Sequence, residues 1–225
     1  MKITHISDTH GTYNFTIPTD SDIVIHSGDF LPDYKFRNKC RDLSVVDFQK
    51  QWIHSKAKKI KGSFKDKYFL FCSGNHDFVD GYEVEEILRN YDINAYCIDN
   101  QVLKIFDFKF YGFPYIPYIY GNWNYECSND VLRNKTLEMV NRIKGQKIDV
   151  LVCHCPPYQI LDSVIDMVEN VGNLHLKNHF EYNLPIEDRP KWIMCGHIHC
   201  SNGIHTEWIC NVSNAATTVH NIIIL

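Results

Sequence analysis

Five short apolar segments constrain most strongly what this chain can fold into, because all five end in the same kinds of residue. In each segment, a run of apolar, β-branched or aromatic residues is followed by a small or turn-forming residue and then by side chains that bind metals. Each run has the length and composition of a buried strand. The segments are MKITHISDTHG (1–11), SDIVIHSGDF (21–30), KYFLFCSGNHD (67–77), IDVLVCHCPP (148–157) and KWIMCGHIH (191–199). The sequence therefore predicts five buried strands whose carboxyl ends carry metal-binding groups.

Helical patterns lie between these strands. The segment 44–62 opens with Ser44 and Asp47 in the spacing of a capping box, and the segments 80–91 and 128–145 are amphipathic. Strands that alternate with helices indicate an α/β sheet, in which ligands bind at the carboxyl ends of the strands. All five polar clusters fall at such ends, so we expect them to meet.

The remaining segments complete the predicted architecture. Residues 95–125 combine aromatic and β-branched residues with Gly and Pro, which indicates hairpin strands followed by a long aromatic loop. Residues 206–225 are predicted to form two closing strands. No linker-like composition divides the 225 residues, so a single domain spanning 1–225 is expected.

Composition and charge restrict the class of protein. The net charge of -4 argues against a general nucleic-acid binder, and no apolar run approaches the ~20 residues of a membrane span. Because the N-terminus lacks a signal-peptide pattern, we expect a cytoplasmic protein without a membrane segment. The nine cysteines are then interpreted as reduced and mostly buried thiols. The sequence leaves the oligomeric state open.

The polar residues at the strand ends form a mixed set of carboxylate, amide oxygen and imidazole donors. This mixture suits borderline to hard divalent ions and differs from a structural zinc cage of thiolates. Manganese is the expected metal, with iron, zinc, cobalt or nickel as alternatives. Eight candidates are too many for one ion with an open position and match two ions that share a carboxylate. They are Asp8, His10, Asp29, Asn75, His76, His154, His197 and His199. Two dications with only two carboxylates leave the centre positive, which predicts hydrolysis of a phosphate ester.

In their order along the chain, these motifs resemble the signature of the calcineurin-like metallophosphoesterases. The motifs are Asp-x-His (8–10), Gly-Asp (28–29), Gly-Asn-His-Asp (74–77), His-x-Pro-Pro (154–157) and Gly-His-x-His (196–199). Segments such as HISDTHG, FYGFP and CGHIH are most similar to the MPPED-like metallophosphodiesterases, a branch close to the class III cyclic nucleotide phosphodiesterases. The resemblance implies a four-layer α/β/β/α sandwich of two mixed sheets with the metals at one edge.

The resemblance also implies a role for each candidate. Asp29 would bridge two metals, while His76 would stand free of them and protonate the leaving oxygen or bind the phosphate. Either Asp77 or Asp33 would orient His76. The first metal would be held by Asp8, His10 and His199, and the second by Asn75, His154 and His197.

One departure from the family pattern bears on the substrate. The phosphoprotein phosphatases of this family carry Gly-Asp-x-x-Asp-Arg, whereas this chain has GDFLPD (28–33), with the second acid displaced by one residue and without the Arg. That Arg belongs to a fork that grips a dianionic monoester. The resemblance and this departure together predict a phosphodiesterase that attacks a small nucleotide-type diester, such as a cyclic nucleotide, with a hydroxide held by the metals. A phosphomonoesterase or phosphoprotein phosphatase, a nuclease, and a non-catalytic scaffold of the same fold are the alternatives.

Two sets of residues outside the motifs have interpretations of their own. His5 and His26 lie within predicted strands and are expected to be structural or to support the metal ligands. The aromatic segment 111–125 either stacks on a base of the substrate or packs the loop onto the domain.

Overall fold

The five predicted strands are present and belong to two large sheets. A computed structural model describes residues 1–12, 16–33, 44–164 and 169–224 of the chain. In chain order the strands are β1 (Lys2–Ile6), β2 (Ile23–His26), β3 (Tyr68–Phe71), β4 (Ala95–Cys97), β5 (Val102–Ile105), β6 (Phe108–Phe113), β7 (Ile116–Pro117), β8 (Glu126–Cys127), β9 (Val150–Cys153), β10 (Trp192–Cys195), β11 (Gly203–His205), β12 (Asn211–Asn214) and β13 (Val219–Ile223). The α-helices are α1 (Val45–Ser63), α2 (Gly81–Arg89), α3 (Asn129–Ile143) and α4 (Leu174–Asn178). The five apolar runs correspond to β1, β2, β3, β9 and β10.

Both large sheets are mixed. The first has the order β13-β1-β2-β3-β4, in which only the pairing of β13 with β1 is antiparallel. The second has the order β11-β12-β10-β9-β6-β5, in which β11 and β5 are antiparallel edge strands and the four inner strands are parallel. Within each sheet the parallel strands therefore end at the same edge, and the polar residues that follow them meet there.

Alternate residues of the inner strands pack on opposite faces, which divides the core into three layers of side chains. Ile23 and Ile25 of β2 face Val150 and Val152 of β9 in a cluster between the two sheets. Val24, which lies between those two isoleucines, packs into the cluster under α1 and α2. Residues of β9 that point away from the first sheet pack against α3 and α4. The predicted four-layer α/β/β/α sandwich of two mixed sheets is confirmed.

The predicted helices are present with small shifts at their ends. Helix α1 begins after Ser44, whose Oγ accepts a hydrogen bond from the backbone N–H of Asp47. Helix α2 begins after Asp80, whose carboxylate accepts from the N–H groups of Tyr82 and Glu83. These caps satisfy the backbone donors that a helix start leaves without intrahelical partners.

Some elements were not predicted from the sequence. Strand β11 contains only three residues, and residues 174–188 form α4 and further short helical turns. Strand β4, at the start of the segment 95–125 that was predicted to form hairpin strands, also contains three residues and pairs in parallel with β3 instead. Runs this short carry no clear periodicity, so only pairing and packing with neighbours define them. The predicted hairpin is β5 and β6, and the two predicted closing strands are β12 and β13.

Within the described residues, no helix has the length and apolar character needed to cross a membrane. Eight cysteines lie in this part of the chain as free thiols, and all of them except Cys200 are buried. The ninth, Cys40, lies outside the described residues.

Candidate metal centre

The carboxyl ends of five strands bring the predicted ligands to one place. Asp8 follows β1, Asp29 follows β2 and Asn75 follows β3, all in the first sheet. The second sheet contributes His154 after β9 and the pair His197 and His199 after β10. Because both sheets supply donors, the candidate centre lies where the two layers meet at their common edge.

The carboxylate of Asp29 lies at the middle of this arrangement. Its Oδ2 atom is 3.4 Å from Nε2 of His154, 3.8 Å from Nε2 of His10 and 4.0 Å from Nε2 of His76. Its Oδ1 atom accepts the backbone N–H of His76 at 2.8 Å. One oxygen of Asp29 is thus surrounded by three imidazole nitrogens, which is the position that a shared ligand would take.

Asp8 contacts both histidines that follow β10. Nε2 of His199 lies 3.0 Å from Oδ1 of Asp8, and the backbone N–H of His197 donates to both Asp8 oxygens at 3.1 and 3.0 Å. Ligand atoms of Asp8, His10 and His199 form one of the groups that could hold a cation, and Asp8, Asp29 and His154 form another.

The imidazole of His154 is oriented by the backbone. Its Nδ1–H donates to the carbonyl oxygen of Ser27 at 2.9 Å, and its Nε2 lies 2.9 Å from Oδ1 of Asn75. Such a bond to a carbonyl fixes the ring and directs Nε2 towards the centre. Burial lowers the pKa of His154, but the Asp29 charge outweighs burial and raises the pKa to about 9.

The backbone around the centre is strained where the candidate ligands are held. Asp8, His10, Asp29 and His197 have φ angles of 53°, 44°, 57° and 67°. Residues other than glycine rarely adopt such angles, and these conformations cluster at functional sites. Gly196 allows close approach, because a Cβ atom there would lie 2.1 Å from Oδ2 of Asp8.

The donors fit a pair of divalent cations. Nδ1 of His10 is buried without a hydrogen-bond partner among the described residues, and Nε2, 3.8 Å from Oδ2 of Asp29, is the nitrogen that would face a cation there. Burial, together with the nearby His154, lowers the pKa of His197 to about 3, so this imidazole keeps a lone pair at neutral pH. The remaining donors are carboxylate and amide oxygens, which borderline and hard cations accept.

His76 lies beside the predicted ligands, and one of its two candidate acids contacts it. Nδ1 of His76 is 3.2 Å from Oδ1 of Asp33. Asp77 does not point towards the His76 ring, because its carboxylate accepts backbone N–H groups from Asp29, Leu31 and Gly74 at 2.8 to 2.9 Å. Asp77 thus joins the loop after β2 to the loop after β3.

Two buried polar residues that sequence reasoning missed support the loops of the centre. On α1, Gln49 donates from Nε2 to the His76 carbonyl at 2.7 Å and accepts at Oε1 from the Phe78 N–H at 2.8 Å. Oδ1 of Asp99 accepts the backbone N–H of Ser73 at 2.9 Å. For Gln49, the sequence signal was weak, since it consists only of a glutamine on the otherwise apolar face of an amphipathic helix.

The two histidines within β1 and β2 have partners of their own. The two ring nitrogens of His5 lie 2.8 and 2.9 Å from the hydroxyls of Ser213 and Ser27, and the ring of His26 contacts the Thr9 hydroxyl at 3.0 Å. Both side chains are fully buried. Both rings are therefore held by hydroxyl groups inside the fold.

The centre opens into a cleft of 370 Å³. Its lining combines histidines and acids with the apolar side chains of Ile119, Trp123, Val164 and Ile198. Among the described residues that line the cleft there is no Lys or Arg. Of the aromatic segment, Trp123 faces the cleft, whereas Tyr118 and Tyr120 are 64% and 74% exposed.

Comparisons with known proteins agree with the motifs. A family model described as calcineurin-like phosphoesterase matches residues 1–201. UPF0046 protein C25E10.12 of Caenorhabditis elegans is 28% identical over 99% of this chain and 77% of its own length. The human metallophosphoesterase domain-containing protein 1 is 24% identical over 96% of this chain, which spans 66% of that protein. The crystal structure of TT1561 of Thermus thermophilus aligns with 96% of this chain and 88% of its own chain, with a TM-score of 0.58 at 8% identity. This likeness concerns the fold alone.

Proposed function

The chain belongs to the calcineurin-like phosphoesterase family of metal-dependent phosphoesterases, and on that premise we propose that it hydrolyses a small nucleotide-type phosphodiester such as a cyclic nucleotide. The observation that carries this proposal is the make-up of the cleft. Histidine, carboxylate and amide donors converge on Asp29 at its base, while none of the described residues that line it is a Lys or Arg.

The metal ligands are proposed to be those that the motifs suggest. Asp29 would be shared by two divalent cations, for which manganese is proposed, with iron, zinc, cobalt or nickel as alternatives. Asp8, His10 and His199 would hold the first cation, and Asn75, His154 and His197 would hold the second. When bound, the cations supply an activated water and neutralise the charge of the phosphate. The distances around Asp29 and Asp8 support this division.

His76 is the proposed proton donor to the leaving oxygen. Its Nε2 lies 4.0 Å from Oδ2 of Asp29, while its Nδ1 contacts Asp33. A contact of this kind orients the ring so that Nε2 faces the substrate. We therefore propose that Asp33 orients His76, and that Asp77 acts by holding the two loops together.

A diester fits the charge of the cleft better than a monoester does. The carboxylate of Asp33 lies beside His76 and would repel the second negative charge of a monoester. An Arg fork of the kind that grips a dianion is missing from the described lining.

The eight free thiols in the described part of the chain support a reducing compartment such as the cytoplasm.

The proposal is tested with chelated protein to which Mn²⁺ is added back. Hydrolysis of bis-p-nitrophenyl phosphate is compared with that of p-nitrophenyl phosphate, followed by a panel of 2′,3′- and 3′,5′-cyclic nucleotides. We expect metal-dependent turnover that favours the diester. Preference for the monoester would indicate a phosphatase instead, and two bound metals without turnover of any substrate would leave a nuclease or a scaffold.

A further inference from the structure

Residues 118–125, between β7 and β8, are called the aromatic loop. Its backbone is hydrogen-bonded to the side chain of one glutamate, Glu126. The carboxylate of Glu126 accepts backbone N–H groups from Ile119, Tyr120, Gly121 and Trp123. Partial burial raises the pKa of Glu126, but these N–H donors outweigh burial and keep the pKa below its usual range. Four donors to one carboxylate give this loop a defined shape.

The aromatic loop is also tied to the segment that carries His76. The backbone N–H of Asn124 donates to the carbonyl of Asn75 at 3.1 Å, and its side-chain Nδ2 donates to the carbonyl of Asp77 at 2.7 Å. These two carbonyls belong to the residues on either side of His76. The loop is therefore anchored to the backbone from which the His76 ring projects.

The result of this anchoring is that the Trp123 ring lies against the His76 ring. The ring centroids are 4.1 Å apart and the planes are inclined by 32°. The other contacts of His76 come from different directions, since Asp33 lies at Nδ1 and the His10 ring meets it edge-on at 4.8 Å. One face of the His76 ring is thus held by Trp123.

We infer that Trp123 is a positioning residue for His76, held in place by Glu126 and Asn124. The inference rests on the proposed function, because it assumes that His76 protonates the leaving oxygen. A ring supported on one face and hydrogen-bonded at Nδ1 keeps Nε2 directed at one point. Misplacement by about 1 Å costs on the order of 10²-fold in rate.

Leaving groups of different quality distinguish positioning from a structural role. p-Nitrophenolate departs with little help from a proton donor, whereas phenolate depends on one more strongly. We expect Trp123→Ala to lower kcat for diphenyl phosphate at least about tenfold more than for bis-p-nitrophenyl phosphate. Trp123→Phe should retain most of the wild-type ratio of kcat between the two substrates. The Tyr120 side chain is 74% exposed in the same loop, so Tyr120→Ala should leave this ratio unchanged.

Glu126 provides a second, independent comparison. If Glu126 acts through Trp123, Glu126→Ala should show the same dependence on leaving group, and the Trp123→Ala/Glu126→Ala double variant should be no slower than the slower single variant. Effects that multiply would mean that the two residues act separately and would overturn this part of the inference.

His76→Ala separates the failure of the inference from the failure of the proposed function. If His76→Ala shows the leaving-group dependence and Trp123→Ala does not, Trp123 is not a positioning residue and the proposed function stands. If His76→Ala shows none, the proton-donor role itself is wrong. An effect of Trp123→Ala confined to KM on both substrates would assign Trp123 to substrate binding and would equally overturn the inference.

Tryptophan fluorescence tests the ring contact without turnover. An imidazole packed against an indole changes its emission, so His76→Ala should change the emission of the metal-free protein. The same substitution in a Trp123→Phe background should produce no change. An equal change in both backgrounds would show that the two rings are not in contact in solution.

Discussion

The two oxygens of Asp29 perform different tasks, and this makes Asp29 the residue on which the candidate centre depends most. Oδ1 accepts the His76 backbone N–H and so fixes the loop after β3, while Oδ2 faces the imidazoles of His154, His10 and His76. A carboxylate that is shared in this way cannot be replaced by an amide, because the amide lacks both the charge and the second acceptor oxygen.

Asp29→Asn should therefore lose metal. We expect no more than one Mn²⁺ per chain to remain after reconstitution, compared with two in the wild type, measured by elemental analysis of desalted protein. Asp20→Asn makes the same chemical change at an exposed position near the opposite ends of the strands and should retain two ions. Two tightly held ions in Asp29→Asn would show that the bridge is assigned to the wrong residue.

His76→Ala should keep the metals and lose turnover, because the His76 ring is proposed to act on the leaving oxygen and not to bind the metals. We expect two bound ions and a fall in kcat of about 10² to 10⁴ on a diester with a poor leaving group. His54→Ala, on the exposed side of α1, serves as the matched control. Wild-type turnover by the His76 variant would refute its role as proton donor.

Among the helices, α1 is connected to the centre by the polar side chain of Gln49. Gln49 is fully buried among apolar neighbours, yet its amide bonds the His76 carbonyl and the Phe78 N–H. Buried amides of this kind are costly unless all their partners are present. The helix thus holds the loop after β3 against the first sheet.

Gln49→Leu tests this connection. The substitution leaves the His76 carbonyl and the Phe78 N–H without their partner, so we expect the free energy of unfolding to fall by about 1 to 3 kcal/mol in urea titrations. The variant should also turn over the diester more slowly, because the loop that carries His76 is less restrained. Gln51→Leu, on the exposed side of the same helix, should change neither quantity appreciably, and an equally stable Gln49→Leu would mean that the bonds do not restrain the loop.

At the scale of the whole molecule, the centre depends on the contact between the two sheets. His154 belongs to the second sheet, but its ring is oriented by the Ser27 carbonyl and faces the Asp29 carboxylate, both of which belong to the first. Proton binding and metal binding at this contact should therefore be visible in the stability of the entire fold.

The stability of the metal-free protein should fall as the pH rises above neutral. Despite burial, the Asp29 charge raises the pKa of His154 from 6.5 to about 9, and the hydrogen bond with Asp8 raises the pKa of His199. Groups with raised pKa values stabilise the folded state fully below pH 6.5, and this contribution is lost as the pH rises to about 9. Urea titrations at several pH values in the presence of a chelator will measure this decline.

Mn²⁺ competes with protons for these histidines, so its affinity should increase as the pH rises, whereas the stability of the metal-free protein decreases. Raising the pH removes the proton from His154, and the apparent affinity should rise by up to about tenfold per pH unit until the pH approaches its pKa. Calorimetric titrations in two buffers of different ionisation enthalpy would detect the released protons. Metal binding that is independent of pH and releases no proton would contradict the raised pKa of His154.

Local sequence was sufficient to predict the five inner strands that end in polar residues and the candidate ligands that follow them, because both depend on local information. Each motif directly follows an apolar run, and parallel strands of one sheet end at one edge, so Asp29 and Asn75 could be expected to meet without any coordinates. Which acid lies beside His76 depends on the folded backbone, since Asp33 and Asp77 are equally plausible in the sequence and differ only in where the loops direct their carboxylates. The tertiary structure also placed Gln49 and Trp123 against His76. Their contacts join residues 27 and 47 positions apart in the chain, and no local periodicity encodes such separations.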